Sequence, residues 1–360
     1  MSAETILVII VTLSTFLLLA IIIWKNSNQT SFLYSNARIS ARSTFILTGD
    51  KMLQLSKLNT LPELINSLKD TEYYPFLESI NKRNIREFNS ALETGFIHSL
   101  SDIQKISPKG FQSVFTVYTK IFESKLIKTF FRANFSKIEI DKKLLEPIGT
   151  INPVLLQHLH DTKTIADMKL VLRDTTYAKL FEKEYSSIEE FDSDLEKMLM
   201  SEIDSVIKRL KVYDRKALLS IFSKRREIKN ILMLIKFRIR GLNRKTQKEI
   251  IELARFDEDK LVDAPTLKDF VNEFKGTEYE KPLQNALIKY EETNNYYSFE
   301  KELLKYYYDF VTDDDLMHTI GPYPIISYIT KKEIEQKNLL IIAKGIISDL
   351  SKQDIEDMII

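Results

Sequence analysis

The chain has 360 residues, 44% hydrophobic and 29% charged, a mixture that folds and is long enough for two or three cores. Fifty-two basic residues against fifty-one acidic leave no net field to draw in nucleic acid, and the lack of cysteine excludes a disulfide scaffold. Eight glycines and nine prolines are too few for a turn-rich β protein and favour helices on short connections.

Ile6 opens a charge-free run that ends at Trp24 and would span about 28 Å as a helix, close to the hydrocarbon thickness of a bilayer. It lacks the basic start and small-residue cleavage site of a signal peptide, so an uncleaved transmembrane anchor over residues 1–25 is expected. Lys25, Arg38 and Arg42 follow it, which places the bulk of the chain on the cytoplasmic side of the cell membrane and makes the lipid bilayer a partner.

A repeat follows. Thr60 to Tyr73, Thr164 to Tyr177 and Thr266 to Tyr279 align without a gap, their starts 104 and 102 residues apart. Thr60, Thr164 and Thr266 read as N-caps, with Glu63, Asp167 and Asp269 placed for a capping box. Leu61, Leu64 and Leu68 share one helical face, as do their counterparts Ile165, Met168, Leu172 and Leu267, Phe270, Phe274. Asp70, Asp174 and Gly276 stand where a left-handed residue would end the helix. Thr71, Thr175 and Thr277 are expected to cap the next segment, and Tyr73, Tyr177 and Tyr279 to pack it onto the first.

A second echo, Glu-x-Lys before an apolar run, falls at Glu123/Lys125, Glu227/Lys229 and Glu335/Lys337, the last two matching on through Lys236 and Lys344. The first Thr–Tyr window has no such helix before it, and the last such helix has no window after it. Residues 330–360 are therefore expected to complete the first of three units, closing a ring-like body. The divisions are 26–120, 121–222 and 223–329.

Chemistry is sparse. The glycines are too scattered for a phosphate loop, so no nucleotide or other cofactor is expected. His158 and His160 are the only histidine pair, without cysteine or acidic support, so no metal site is expected. Asp313, Asp314 and Asp315 read as the start of a helix. The basic run Lys224, Arg225, Arg226, Lys229, Lys236, Arg238, Arg240, Arg244 and Lys245 reads as a solvated face, with acidic protein or lipid as the alternative contact. No catalytic set emerges.

Tyr34-Ser-Asn36-Ala-Arg38, Leu68-Lys-Asp70-Thr71-Glu-Tyr73, Gly321-Pro322 and Lys332-Glu333-Ile-Glu335-Gln-Lys337-Asn338 resemble the C subunit of A/V-type ATP synthases, a family that includes the d subunit of vacuolar ATPases. The likeness covers about residues 34–350. It implies an all-α funnel of three similar helical subdomains and no enzymatic activity of its own. It further implies a socket joining the rotor-ring proteolipid subunits to the central-shaft subunits and passing torque between them. Arg38, Lys337 and Asn338 are the implied partner contacts. Leu340 stands where many members carry arginine. The rival expectation is a membrane-anchored helical scaffold of some other complex.

Overall fold

The computed structural model describes residues 12–19, 31–47, 49–78, 80, 84–140, 147–241, 255–317 and 321–360. Among them there is no strand, only one isolated bridge between Ile148 and Ile151. Of the predicted anchor, residues 12–19 are helical and exposed, and the rest lies outside the described residues. Among the described residues no helix is long and apolar enough to cross a membrane.

The helices are α1 (Leu33–Ser43), α2 (Gly49–Leu55), α3 (Leu61–Ser67), α4 (Tyr74–Leu77), α5 (Ile85–Ile106), α6 (Ser113–Ser136), α7 (Pro153–Asp161) and α8 (Ile165–Leu172). They continue as α9 (Ile188–Arg209), α10 (Val212–Ile239), α11 (Glu258–Asp263), α12 (Leu267–Asn272), α13 (Glu280–Thr293), α14 (Tyr297–Met317), α15 (Tyr323–Ile347) and α16 (Lys352–Met358). Six long ones form a closed circuit: α5 packs on α6, then α9, α10, α14 and α15 follow, and α15 returns to α5.

The short repeat helices form for the expected local reasons. Each threonine hydroxyl at 60, 164 and 266 accepts the amide three residues on, at 3.3, 3.1 and 3.1 Å. The capping box is complete at Thr164–Asp167 and Thr266–Asp269. Glu63, one methylene longer, overshoots to the amide of Asn59 instead. Leu64, Leu68, Met168, Leu172, Phe270 and Phe274 are fully buried, worth about 1.5–3 kcal/mol each by apolar transfer.

Three local expectations are corrected, two of them in part. Only Gly276 is left-handed, at φ 77°; Asp70 and Asp174 keep negative φ because a side chain there is penalised, and their helices close by 2.9 and 3.0 Å turn bonds from Thr71 to Leu68 and from Thr175 to Leu172. Of the second threonines, Thr175 caps the next segment as expected and Thr277 likewise accepts the amide two residues on, whereas Thr71 only ties back; all three hydroxyls donate to the helix before them, at Leu68, Leu172 and Phe274. Asp313–Asp315 lie near the end of α14, not its start, because the helix begun at Tyr297 continues through them to Met317.

Two hydrophobic clusters result. One combines residues 47–92 with Leu339, Ile342, Ile346, Ile355 and Ile359, drawing on both parts of the chain. The other runs continuously from Phe32 and Ile39 through residues 96–329.

Candidate functional site

Each Glu-x-Lys helix presents its glutamate to one of the repeat tyrosines. Tyr177 donates to Glu123 at 2.8 Å, Tyr279 to Glu227 at 2.6 Å, and Tyr73 to Glu335 at 3.0 Å. The last pair joins α15 to the segment between α3 and α4, 262 residues away in sequence. A lysine one helical turn earlier completes each node: Lys120 lies 3.0 Å from Glu123, Lys224 3.8 Å from Glu227 and Lys332 2.6 Å from Glu335. Each ammonium also sits over the ring of its tyrosine, at 5.1, 4.9 and 4.2 Å from the centroid.

Glu123, Glu335, Lys224 and Lys332 are buried and Glu227 and Lys120 nearly so, which makes further partners necessary. The second oxygen of Glu335 accepts the Leu47 amide at 2.7 Å, and that of Glu123 takes the Thr150 amide, while Glu227 meets Arg255 at 3.3 Å. The Thr150 contact requires Gly149, at φ 59°, since a Cβ there would stand 1.8 Å from the Glu123 carboxylate. Burial, with the carboxylate next to it, holds all three phenols protonated far above the ordinary tyrosine range. The residue before each tyrosine varies: Glu72 and Glu278 face their lysines, whereas Thr176 accepts from Lys120 at 3.2 Å.

Next to the nodes, α6, α10 and α15 line a central cavity of about 400 Å³ with Lys125, Lys229 and Lys337. Each of these lysines pairs with a glutamate of the preceding long helix: Lys125 with Glu93 at 3.8 Å, Lys229 with Glu196, and Lys337 with Glu300. The positions after the node lysines, Ile121, Arg225 and Glu333, line the same cavity. Arg225 and Glu333 form a two-pronged pair at 2.9 and 3.1 Å. Burial opposes the Arg225 charge, but Glu333 more than offsets it and raises that pKa.

The basic run is a solvated face only in part: Lys229, Lys236 and Arg240 are exposed as expected, whereas Lys224 is buried and Arg225 and Arg226 are half-buried in ion pairs. Besides Lys224, Arg225 and Lys229, Arg226 pairs with Asp204, Arg240 with Glu189, and Arg238 donates to the carbonyls of Leu261, Val262 and Ala264. The Arg238 carbonyl partners come from α11 and the residue after it, which nothing in the local run announces. Burial together with Arg240 and Arg132 lowers the pKa of Lys236. Arg244 and Lys245 lie outside the described residues.

The implied contact residues part company. Arg38 is exposed on α1. Lys337 faces the central cavity. Asn338 is buried, its amide donating to the Ile360 carbonyl at 3.2 Å and accepting the Ile360 amide at 2.9 Å. Asn36 donates to Gly321 at 3.1 Å, bringing together the two outer segments that carry the resemblance. His158 is exposed, while His160 packs edge-on against Phe130 at 5.1 Å, so the two do not converge.

A family model described as ATP synthase (C/AC39) subunit matches residues 35–358, nearly the whole chain. The chain belongs to that family. Among its relatives is the C subunit of the A-type ATP synthase of Methanocaldococcus jannaschii, 28% identical over 91% of this chain and 86% of that protein. The corresponding protein of Pyrococcus abyssi is 22% identical over 94% and 92%, and that of Methanothermobacter thermautotrophicus 21% over 87% and 83%. The C/AC39 match includes all three nodes and stops short of the apolar run at residues 6–24. Sequence reasoning missed Lys120 and Lys332 as node members, although Lys-x-x-Glu-x-Lys stands at all three places. It also missed Glu93, Glu196 and Glu300, which recur 103 and 104 residues apart without similar neighbours.

Proposed function

We propose that this chain is the central-stalk subunit of a rotary A/V-type ATP synthase: a non-catalytic socket that links the membrane rotor ring to the central shaft and passes torque during ion-coupled ATP synthesis or hydrolysis. The observation that carries the reading is the circuit of six helices closed by the Tyr73–Glu335 node around a central cavity, in a chain of the C/AC39 family. Closely packed helices deform little; each node joins charge, hydrogen bond and aromatic ring inside a unit, and the pairs Glu93–Lys125, Glu196–Lys229 and Glu300–Lys337 tie one unit to the next. In this reading three subdomains, 26–120, 121–222 and 223–329, form a funnel, with residues 330–360 completing the first. Lys337 is placed to meet the shaft inside the cavity and Arg38 to meet a neighbour outside it; Asn338 shapes the wall through Ile360.

The apolar run from Ile6 to Trp24 would enter the membrane beneath the socket, in the lumen of the rotor ring, leaving the body on the cytoplasmic side. Leu33, Tyr34 and Phe45 are exposed apolar residues soon after that run, which supports a membrane-facing end. Affinity purification in mild detergent tests the whole reading. Co-purification with a small proteolipid ring and a coiled-coil shaft is expected; recovery with a different set of membrane proteins would mean a scaffold of another complex. Deleting residues 1–24 should weaken membrane retention of the shaft, and unchanged retention would count against the anchor.

A further inference from the structure

The repeat builds not only three nodes but three grooves, between α5 and α6, α9 and α10, and α14 and α15. The ion pairs Glu93–Lys125, Glu196–Lys229 and Glu300–Lys337 fix their correspondence. Counting from those pairs, Ser90, Thr94, Leu126 and Thr129 of the first groove match Ser193, Lys197, Asn230 and Met233 of the second. Tyr297, Lys301, Asn338 and Ile341 are their counterparts in the third.

The same site has three different fates. In the third groove the chain supplies its own occupant, the segment 352–360, which packs on both α14 and α15. Its backbone is held by groove residues: Tyr297 donates to the Met358 carbonyl at 2.9 Å, Lys301 to the Asp357 carbonyl, and Asn338 bonds Ile360 both ways. Beside Asn230 and Met233 the second groove is narrowed to about 30 Å³, one water's share of liquid, and it widens only beyond Met200, along residues 197–209 and Arg226. The first leaves about 510 Å³ open, within the usual range of ligand pockets, and shares Glu93 and Lys125 with the central cavity.

We propose that the first groove is a seat for a polypeptide segment of a partner protein, acidic and then aliphatic, chemically like residues 354–360 of this chain. The third groove supplies the precedent for a peptide at this position. Charge supplies the sign: of the five cations lining the first groove, Lys125, Lys128 and Arg132 pair with Glu93, Glu196 and Asp192, which leaves Arg86 and Lys344 on the exposed rim as the excess. Apolar walls at Ile97, Phe122 and Leu340 between those charges suit aliphatic side chains flanked by carboxylates better than a bare phosphate. The inference goes beyond the rotary reading, because it holds whichever protein supplies the segment.

The test uses the full chain and a fluorescent synthetic peptide with the sequence of residues 350–360, read by anisotropy. Saturable binding is expected, weakening as salt is raised. It should fall about tenfold in Arg86→Glu/Lys344→Glu, two exposed rim positions, as expected from losing two such charge contacts. Thr129→Met, which borrows the residue of the narrowed groove, should block binding without changing charge. Lys197→Glu in the second groove should leave it unchanged. Absence of saturable binding overturns the proposal, as does binding lost in Asn338→Ala but not in the first-groove variants, which would mean exchange into the third groove. Self-association that depends on residues 352–360 would replace the partner by a second copy and overturn it too.

Discussion

The nodes and the grooves come from the same duplicated unit, yet the nodes remain close copies while the grooves have diverged. Tyrosine, glutamate and lysine recur at all three nodes with tyrosine–glutamate distances of 2.8, 2.6 and 3.0 Å. At equivalent positions the grooves hold an internal segment, a constriction of about 30 Å³ and an open pocket of about 510 Å³. The difference follows from buried charge. A node residue such as Glu335, 2% exposed, cannot change without leaving a partner's charge unpaired in the interior. Leu126, Asn230 and Asn338 are buried too but carry no charge, so exchange among them strands no ion, and they occupy equivalent places with different consequences.

The largest effect should come from breaking a node. Glu335→Ala leaves buried Lys332 with only Glu72, 3.8 Å away, and strands the Tyr73 hydroxyl and the Leu47 amide; it is expected to cost about 3–5 kcal/mol in denaturant unfolding. Numbering the nodes by their tyrosines, Tyr73, Tyr177 and Tyr279, Glu123→Ala at the second node should cost a similar amount. A loss under about 1 kcal/mol at either position would separate the nodes and undo their equivalence. A smaller change is expected in the grooves. Asn338→Leu gives the third groove the residue of the first and removes both bonds to Ile360, at about 1–3 kcal/mol. Hydrogen exchange should then quicken over 352–360 while the second and third nodes keep their protection.

The smallest effect is acidic and marks how the third node differs from the second. The Glu278 carboxyl is raised by burial, but Lys224 and then Arg255 outweigh that and hold it down to about 2, against an ordinary 4.5. A depressed folded value means its contribution is present above about pH 4.5 and fades as the pH falls toward 2. Melting curves of Glu278→Gln and the unaltered chain should differ above that window and converge within it. At the second node Thr176 occupies this position, and a Thr176→Ala variant should show no such acid dependence.

Much of the architecture was legible because the repeat writes its signals locally. Thr164-x-x-Asp167 and Thr266-x-x-Asp269 cap their helices as their spacing implies, and the buried faces follow helical periodicity. What was illegible depends on distant partners. The basic run around Arg225 looks solvent-facing until Glu333, 108 residues on, is brought beside it. Glu93, Glu196 and Glu300 sit among unrelated neighbours, so their shared role shows only once the long helices are side by side. Asn338 carried a family signal, but its use as a clamp on Ile360 required the docked segment.

The central claim is that this chain couples two moving parts and performs no chemistry. The most direct measurement compares ATP hydrolysis and ion pumping in membrane-reconstituted complexes with and without the chain. The account predicts that removing it leaves hydrolysis by the catalytic head in place while pumping is lost, and that adding it back restores pumping. Pumping that persists without the chain, or hydrolysis that disappears along with it, would contradict the account.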